Sequence, residues 1–398
     1  MANILSLCLY ILTVLFGIYI DRKKKPESSL YKKIYIIWLF VFYCFGYMIG
    51  DDWRNYEVIY NDPTSYKMLR FLSEPLSLLT FTLFPKILPD FWLFLGIMKS
   101  LYLSSVILLC KKITAQWVTC VAIMTMGQLN FLLIDCPLRF MLALIFVNLA
   151  LSQFLADEKM NAKSVITMLF FLLVALLFHN TCLFYLLTVP LLISSSKLYK
   201  VNRVLLFFCY LFLLLATSNV SLMNFLLNYF SEVMRSISLN ASDEYAVSSN
   251  SSIFSIGNIS QIVFFAIVLI SRDKVCGNNE RCKLVYCGTI VYFLLCRLFL
   301  IIPTGFRIPL PLSVFYVVYI IYLLNKKLLR GKIIVIYMLF AFVNNTWNNF
   351  NMLPYSNSIP YIISEHKPYS ERYYYNFNAY KDRMGVNHPK YYEYQFDE

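Results

Sequence analysis

Uninterrupted apolar blocks of roughly 15–25 residues recur about a dozen times along this chain, and blocks of that length are at home only in lipid. An α-helix rises about 1.5 Å per residue, so about 20 apolar residues cover the hydrocarbon of a bilayer. Runs such as "IYIIWLFVFYCFGYM" lack the short alternation that a half-buried soluble element shows. With 59% of 398 residues apolar and only 14% charged, the chain reads as an all-α, polytopic membrane protein of about 12 transmembrane helices. A large soluble domain has no room.

The net charge of +13 would point to a nucleic-acid partner in a soluble protein, but its placement marks sidedness here, and no nucleic acid is expected. The first apolar block, 3–20, has no basic residue before it and is followed by "DRKKKPESSLYKK", so it reads as an uncleaved anchor with its N terminus outside. Carrying that orientation forward, loops 21–33, 111–112, 156–163, 197–203, 272–283 and 325–332 lie inside and hold 21 of the 35 Lys and Arg. The crossings fall at about 3–20, 34–50, 91–110, 115–134, 138–155, 164–179, 181–196, 204–221, 258–271, 284–302, 308–324 and 333–347. Residues 1–347 form the transmembrane domain, with large outer loops at 51–90 and 222–257, and 348–398 form a tail containing ten tyrosines. Such rings suit a membrane interface as well as sugar faces. The Ser/Asn-rich "SISLNASDEYAVSSNSS" reads as a lid or connector.

One apolar block does not fit the alternation. "PLSLLTFTLFP", Pro75 to Pro85, is too short to span and is closed by Pro85 and Pro89, so it reads as an interfacial or re-entrant helix on the outer side. Its Ser73-Glu74-Pro75 start suits a helix N-terminus, with Pro in the first turn and a carboxylate against the dipole. The eleven cysteines are mostly scattered in apolar blocks as core residues, and the spacing of Cys276, Cys282 and Cys287 matches no common zinc pattern. No metal site and no cofactor are expected. Phosphate-binding glycine loops and the HExxH pattern are absent from the sequence, which leaves ATP-driven transport and zinc proteolysis without support.

Polar residues near membrane depth are costly and need a reason. In this topology Asp52, Arg54, Glu74, Asp135, Arg139, His179 and Arg307 all come to the outer ends of helices, while Lys99 and Arg297 lie deeper, suited to snorkelling or an ion pair. Each has a plain alternative: Asp52 and Arg54 as a solvated loop pair, Arg139 as a lipid-headgroup contact, His179 as a satisfied histidine in a helical turn. Arg139 and Arg307 nevertheless stand outside against the charge bias, in the proline-marked turns "DCPLRFMLA" and "IIPTGFRIPLP". An anionic ligand would account for both, since guanidinium grips phosphate oxygens through a bidentate fork.

The ordered stretches "GDDWRNYEVIY", "SEP", "LRFMLA", "LFHNTCLF" and "FRIPLPLSVFY" resemble the landmarks of the EpsG-like polysaccharide polymerases, a Wzy-type group. The resemblance covers about residues 40–320 and falls on Gly50, Asp52, Trp53, Tyr56, Tyr60, Glu74, Pro75, Arg139, Ala143, His179, Thr181 and Arg307. The Gln that commonly follows the helix-start Arg is Phe140 here, and the late Arg precedes Pro309 and Pro311.

The resemblance implies a GT-C-like fold in a bacterial inner membrane. It implies an enzyme that joins polyprenyl-pyrophosphate-linked oligosaccharide repeats on the periplasmic side, in the bilayer and alongside a chain-length regulator. On that reading Arg139 and Arg307 hold the donor pyrophosphate, and His179, Asp52 or Glu74 takes the acceptor proton, with His179 preferred. Trp53, Arg54, Tyr56 and Tyr60 then face the glycan. A lipid-linked oligosaccharide flippase, a membrane O-acyltransferase and a ligase that transfers glycan to lipid A are the competing functions.

Overall fold

In a computed structural model, residues 1–21, 28–62, 64, 73–155, 162–186, 195–218, 255–299, 307–329, 331–349, 351–362 and 364–384 are described. They form helices and loops, with one isolated bridge between Gly46 and Asn357. Nearly all of the expected outer loop 222–257, half of the crossing at 181–196 and the end of the tail lie outside the described residues. The chain divides into two compact units, one of residues 1–108, 117–145 and 332–398 and one of residues 109–116 and 146–331.

The first unit starts with α1 (Ala2–Ile20) and α2 (Ser28–Leu39), followed by a π turn at Phe40–Cys44. Next come α3 (Trp53–Asn61), α4 (Pro75–Ile87), most of α5 (Phe91–Ile113), and the pair α6 (Trp117–Met124) and α7 (Gln128–Asn130), which continues as a π turn to Asp135. The start of α8 (Leu138–Phe154), most of α15 (Gly331–Asn348) and two short C-terminal helices complete it. Helices α1 and α6 approach closely at Gly17, where a Cβ would meet the Tyr35 hydroxyl at 2.4 Å and the Ala122 Cβ at 2.6 Å. Asp21, just past α1, pairs with Lys32 at 2.9 Å and accepts from the Thr119 backbone N–H at 2.8 Å, satisfying a donor in the first turn of α6.

The described tail residues belong to this unit. Residues 351–358 run beside 41–50: Tyr47 N–H donates to Ser356 O at 2.9 Å, Ser358 N–H to Phe45 O at 2.7 Å, and Gly50 N–H to Asn351 O at 2.7 Å. Tyr355 stacks on Phe42 with ring centroids 4.4 Å apart, so the backbone pairing is backed by aromatic burial.

The second unit contains the rest of α8, then α9 (Ala162–Phe178), α10 (Ser195–Lys200), α11 (Arg203–Ser218), α12 (Ile256–Cys276), α13 (Glu280–Leu298) and α14 (Ser313–Asn325). Helix α13 is the central element, with α10, α11, α12 and α14 packed against it. Ser255 and Asn279 cap α12 and α13 through side-chain acceptors. Arg297, on α13, is 2% exposed, and it is held by neutral groups: Nε donates to Tyr210 Oη at 3.1 Å, Nη1 to Asn258 Oδ1 at 2.8 Å and Nη2 to Gln261 Oε1 at 2.6 Å. The ion pair or snorkelling expected for this residue is replaced by side-chain dipoles, which satisfy the donors without a buried carboxylate. Lys99 does not snorkel either, since it is fully buried.

Two described helices, Ala2–Ile20 and Phe91–Ile113, are each long and apolar enough to cross a membrane. The expected crossing at 115–134 is broken, because Trp117–Met124 and Gln128–Asp135 meet at 61°. Thr125 bends its hydroxyl back to the Ala122 carbonyl at the break, and Gly127 adopts a non-helical conformation. Leu138–Phe154, Ala162–Phe178, Arg203–Ser218 and Leu310–Asn325 are shorter apolar helices. Pro75–Ile87 is another, and it runs through Pro85 to stop at Leu88, where the following Pro89 disfavours helical continuation.

Candidate active site

The site begins with a backbone constraint. Gly50 adopts φ +87°, and a Cβ there would lie 1.8 Å from the Ile134 carbonyl oxygen. Only glycine lets the chain pass so close to the end of the broken helix pair while in the left-handed region. The next residues are thereby seated against residues 134–136, and Asp52 N–H donates to Asp135 O at 3.3 Å. The Asp52 carbonyl then accepts from Asn55 and Tyr56 N–H at 3.2 Å each and opens α3.

Helical spacing places Trp53, Tyr56, Glu57 and Tyr60 on the buried stripe of α3. Trp53 packs on Trp92 at 5.1 Å, Tyr56 stacks on Phe81 of α4 at 5.6 Å, and Tyr60 stacks on Phe94 of α5 at 4.6 Å. The Tyr60 hydroxyl donates to the Leu88 carbonyl. Arg54 is 3% exposed, and its Nη1 holds Gly50 O at 3.0 Å and Asp51 Oδ1 at 2.8 Å while its Nε donates to Tyr373 O at 2.9 Å. Trp53, Arg54 and Tyr60 are therefore occupied inside the unit, where they seat α3.

Four of the residues singled out in the sequence come together here: Asp52, Tyr56, Glu74 and Arg139. Arg139, in the first turn of α8, pairs through Nη1 with Glu74 Oε2 at 2.6 Å, and its Nε lies 3.5 Å from Tyr56 Oη. Glu74 occupies the N-cap position of α4, but its carboxylate makes no cap bond and turns instead to the guanidinium. The Glu74 side chain is 5% exposed and that of Arg139 23%, so the cation stands at the accessible edge of the pair. Burial pushes the Tyr56 phenol up while the adjacent Arg139 opposes this, and the hydroxyl stays neutral at physiological pH. Asp52 is partly exposed beside them. The arrangement presents a hydrogen-bond fork, a phenol and two carboxylates, suited to an anionic group next to a hydroxyl-bearing one.

His179 and Arg307 lie in the second unit. His179 follows α9 in an extended conformation and caps the Asn180–Cys182 turn, its Nδ1 accepting from Thr181 N–H at 3.2 Å. The Thr181 hydroxyl lies 2.9 Å from the same nitrogen. An Nδ1 that accepts from a backbone N–H carries no proton, so the neutral ring carries its hydrogen on Nε2. Arg307 sits in the turn ahead of Leu310–Leu312 and α14, partly exposed and next to the buried Ile308 and Pro309.

The structure adds residues that the sequence reading did not single out. Glu57 forms a buried pair with Arg372 of the C-terminal segment at 2.5 Å. His366 bridges Asp90 Oδ2 at 2.7 Å and Tyr47 Oη at 3.2 Å, while Asp90 Oδ1 caps the start of α5 through Leu93 N–H at 2.6 Å. A glutamate on the inward stripe of α3 is the sequence signal for such a partner, since a carboxylate cannot be buried alone.

A family model described as the EpsG family matches residues 29–357. The chain therefore belongs to the EpsG family, a family of Wzy-like polysaccharide polymerases that reside in membranes. No curated protein and no solved structure matches it.

Proposed function

We propose that this EpsG-family protein polymerises polyprenyl-pyrophosphate-linked oligosaccharide repeats at the outer face of a bacterial inner membrane, which it crosses about 12 times. The observation that carries the reading is the Arg139–Glu74 pair, at 2.6 Å, in the first turn of an apolar helix and beside Asp52. Sugar sits in water and its carrier in lipid, so a site for both belongs where helices emerge. The twelve-crossing register and the GT-C-like likeness are part of this proposal.

In the reaction, an acceptor sugar hydroxyl attacks the anomeric carbon of the donor repeat, the bond from that carbon to the phosphate oxygen breaks, and polyprenyl pyrophosphate leaves. Arg139 binds the pyrophosphate and offsets the charge that grows on the leaving oxygen, the kind of preorganised stabilisation that contributes heavily to rate. Asp52 receives the hydroxyl proton. Glu74, already paired with Arg139, orients the guanidinium. His179, with its hydrogen on Nε2, serves as a donor to a substrate oxygen, because its Nδ1 lone pair already accepts from Thr181. Tyr56 adds a neutral hydroxyl next to Arg139.

Deletion of the gene tests the reading on polysaccharide gels. Acceptor carrying single repeats is the expected outcome of a lost polymerase. Complete loss of surface glycan would assign the protein to lipid-linked oligosaccharide transport, and loss of acetyl groups alone would assign it to acyl transfer.

A further inference from the structure

The geometry points to the C-terminal segment, outside the region that matches the family, as a working part of the candidate site, with Arg372 as the residue that positions α3. The family match ends at residue 357, yet several side chains that hold the stretch around Asp52 lie beyond it. Arg372 Nη1 pairs with Glu57 Oε2 at 2.5 Å, with the two side chains 7% and 5% exposed. Arg372 Nε donates to Lys367 O at 2.8 Å, which fixes the guanidinium from its own side. The rings of Trp53, Trp92 and Tyr369 lie 5.9, 5.9 and 5.7 Å from it. A guanidinium enclosed by aromatic faces and one carboxylate cannot leave without stranding that carboxylate in an apolar setting.

Other tail side chains hold the same stretch on both sides of Asp52. Tyr369 Oη donates to Arg54 O at 2.8 Å, in the first turn of α3. Asn376 Nδ2 donates to Met48 O at 2.6 Å and to Asn351 O at 3.0 Å. Met48 has φ +56°, a left-handed conformation that a methionine keeps only where its surroundings impose it. Residues 48–57 thus carry Asp52 while tail side chains hold them at Met48, Arg54 and Glu57. Arg372 touches neither the Arg139–Glu74 pair nor the exposed edge, so its effect on turnover passes through α3.

This inference rests on the polymerase reading for its kinetic arm and on geometry alone for its exchange arm. Purified full-length protein in lipid nanodiscs, as wild type, Arg372→Ala and Arg372→Lys, is compared by hydrogen exchange and by turnover of polyprenyl-pyrophosphate-linked repeats per folded molecule. Arg372→Ala is expected to speed amide exchange at least tenfold across 50–60 and leave α1 and α6 unchanged. It is also expected to lower kcat at least tenfold with KM within about twofold, and Arg372→Lys is expected to recover part of both. Unchanged exchange across 50–60 in Arg372→Ala overturns the inference, as does a full kcat in the face of altered exchange. Faster exchange in the variant together with an inactive wild type supports the clamp and counts against the polymerase reading instead.

Discussion

Arg139 carries two demands in one side chain, because it neutralises the buried Glu74 carboxylate and is itself 23% exposed. Removing it strands a carboxylate whose side chain is 5% exposed, and truncating one partner of such a pair costs on the order of 2–5 kcal/mol. Arg139→Ala is therefore expected to abolish polymer and to lower thermal stability, while adding Glu74→Gln restores stability and leaves activity lost. Melting temperature and glycan gels on the single and double variants separate the two effects. Arg139→Lys should recover little activity, since an ammonium cannot reproduce a bidentate grip. For His179 the Thr181 contact sets the expectation. His179→Ala should lower polymer yield at least tenfold at normal protein abundance, and His179→Gln, which can still donate, should recover a measurable fraction. Complete retention of chain length in His179→Ala cells would leave the residue with no part in the reaction.

At the scale of elements, the link between Gly50 and the broken helix pair decides where Asp52 stands. Gly50→Ala places a Cβ 1.8 Å from the Ile134 carbonyl oxygen at a φ of +87°. The left-handed backbone alone costs about 1–2 kcal/mol, before the collision is relieved by moving one of the two segments. The expected result is faster hydrogen exchange across 50–60 and loss of polymer, and wild-type exchange in this variant would show that the approach is looser than the structure has it. The helices themselves were legible in sequence: the expected crossings at 91–110, 138–155 and 164–179 correspond to helices Phe91–Ile113, Leu138–Phe154 and Ala162–Phe178. Apolar length alone specifies these. The 61° break near 125–127 was not legible, because a glycine inside an apolar block does not say whether the helix bends there. The setting of the aromatic and basic residues of α3 was not legible either. Trp53, Arg54 and Tyr60 look like a sugar-binding ladder in sequence, yet helical spacing turns the two rings inward and Arg54 onto the Tyr373 carbonyl.

For the whole molecule, the charge pattern and the tail contacts make one joint prediction about sidedness. Residues 356–376 bond to residues 45–57, so both stretches must lie on the same side of the membrane. On the proposed register, with basic loops inside, that side is expected to be the outer one. Cysteines placed at Asn61, Asn180 and Glu371 in a cysteine-free background should react with an impermeant thiol reagent in intact cells, while those at Lys112 and Lys327 should not. Labelling at 112 would overturn the register. The pairing of the tail with residues 45–57 had no local signature, because it joins positions about three hundred residues apart, largely through backbone acceptors and a buried ion pair.

The most direct test of the central claim is made on purified protein in lipid vesicles supplied with one polyprenyl-pyrophosphate-linked repeat, with no nucleotide present. Product length is read on a gel and released polyprenyl pyrophosphate is counted. The wild type should build a ladder with one polyprenyl pyrophosphate released for each new linkage, and Arg139→Ala should leave the single repeat unextended. A ladder of undiminished length from Arg139→Ala would contradict the account, as would a wild type that binds the substrate and forms no linkage.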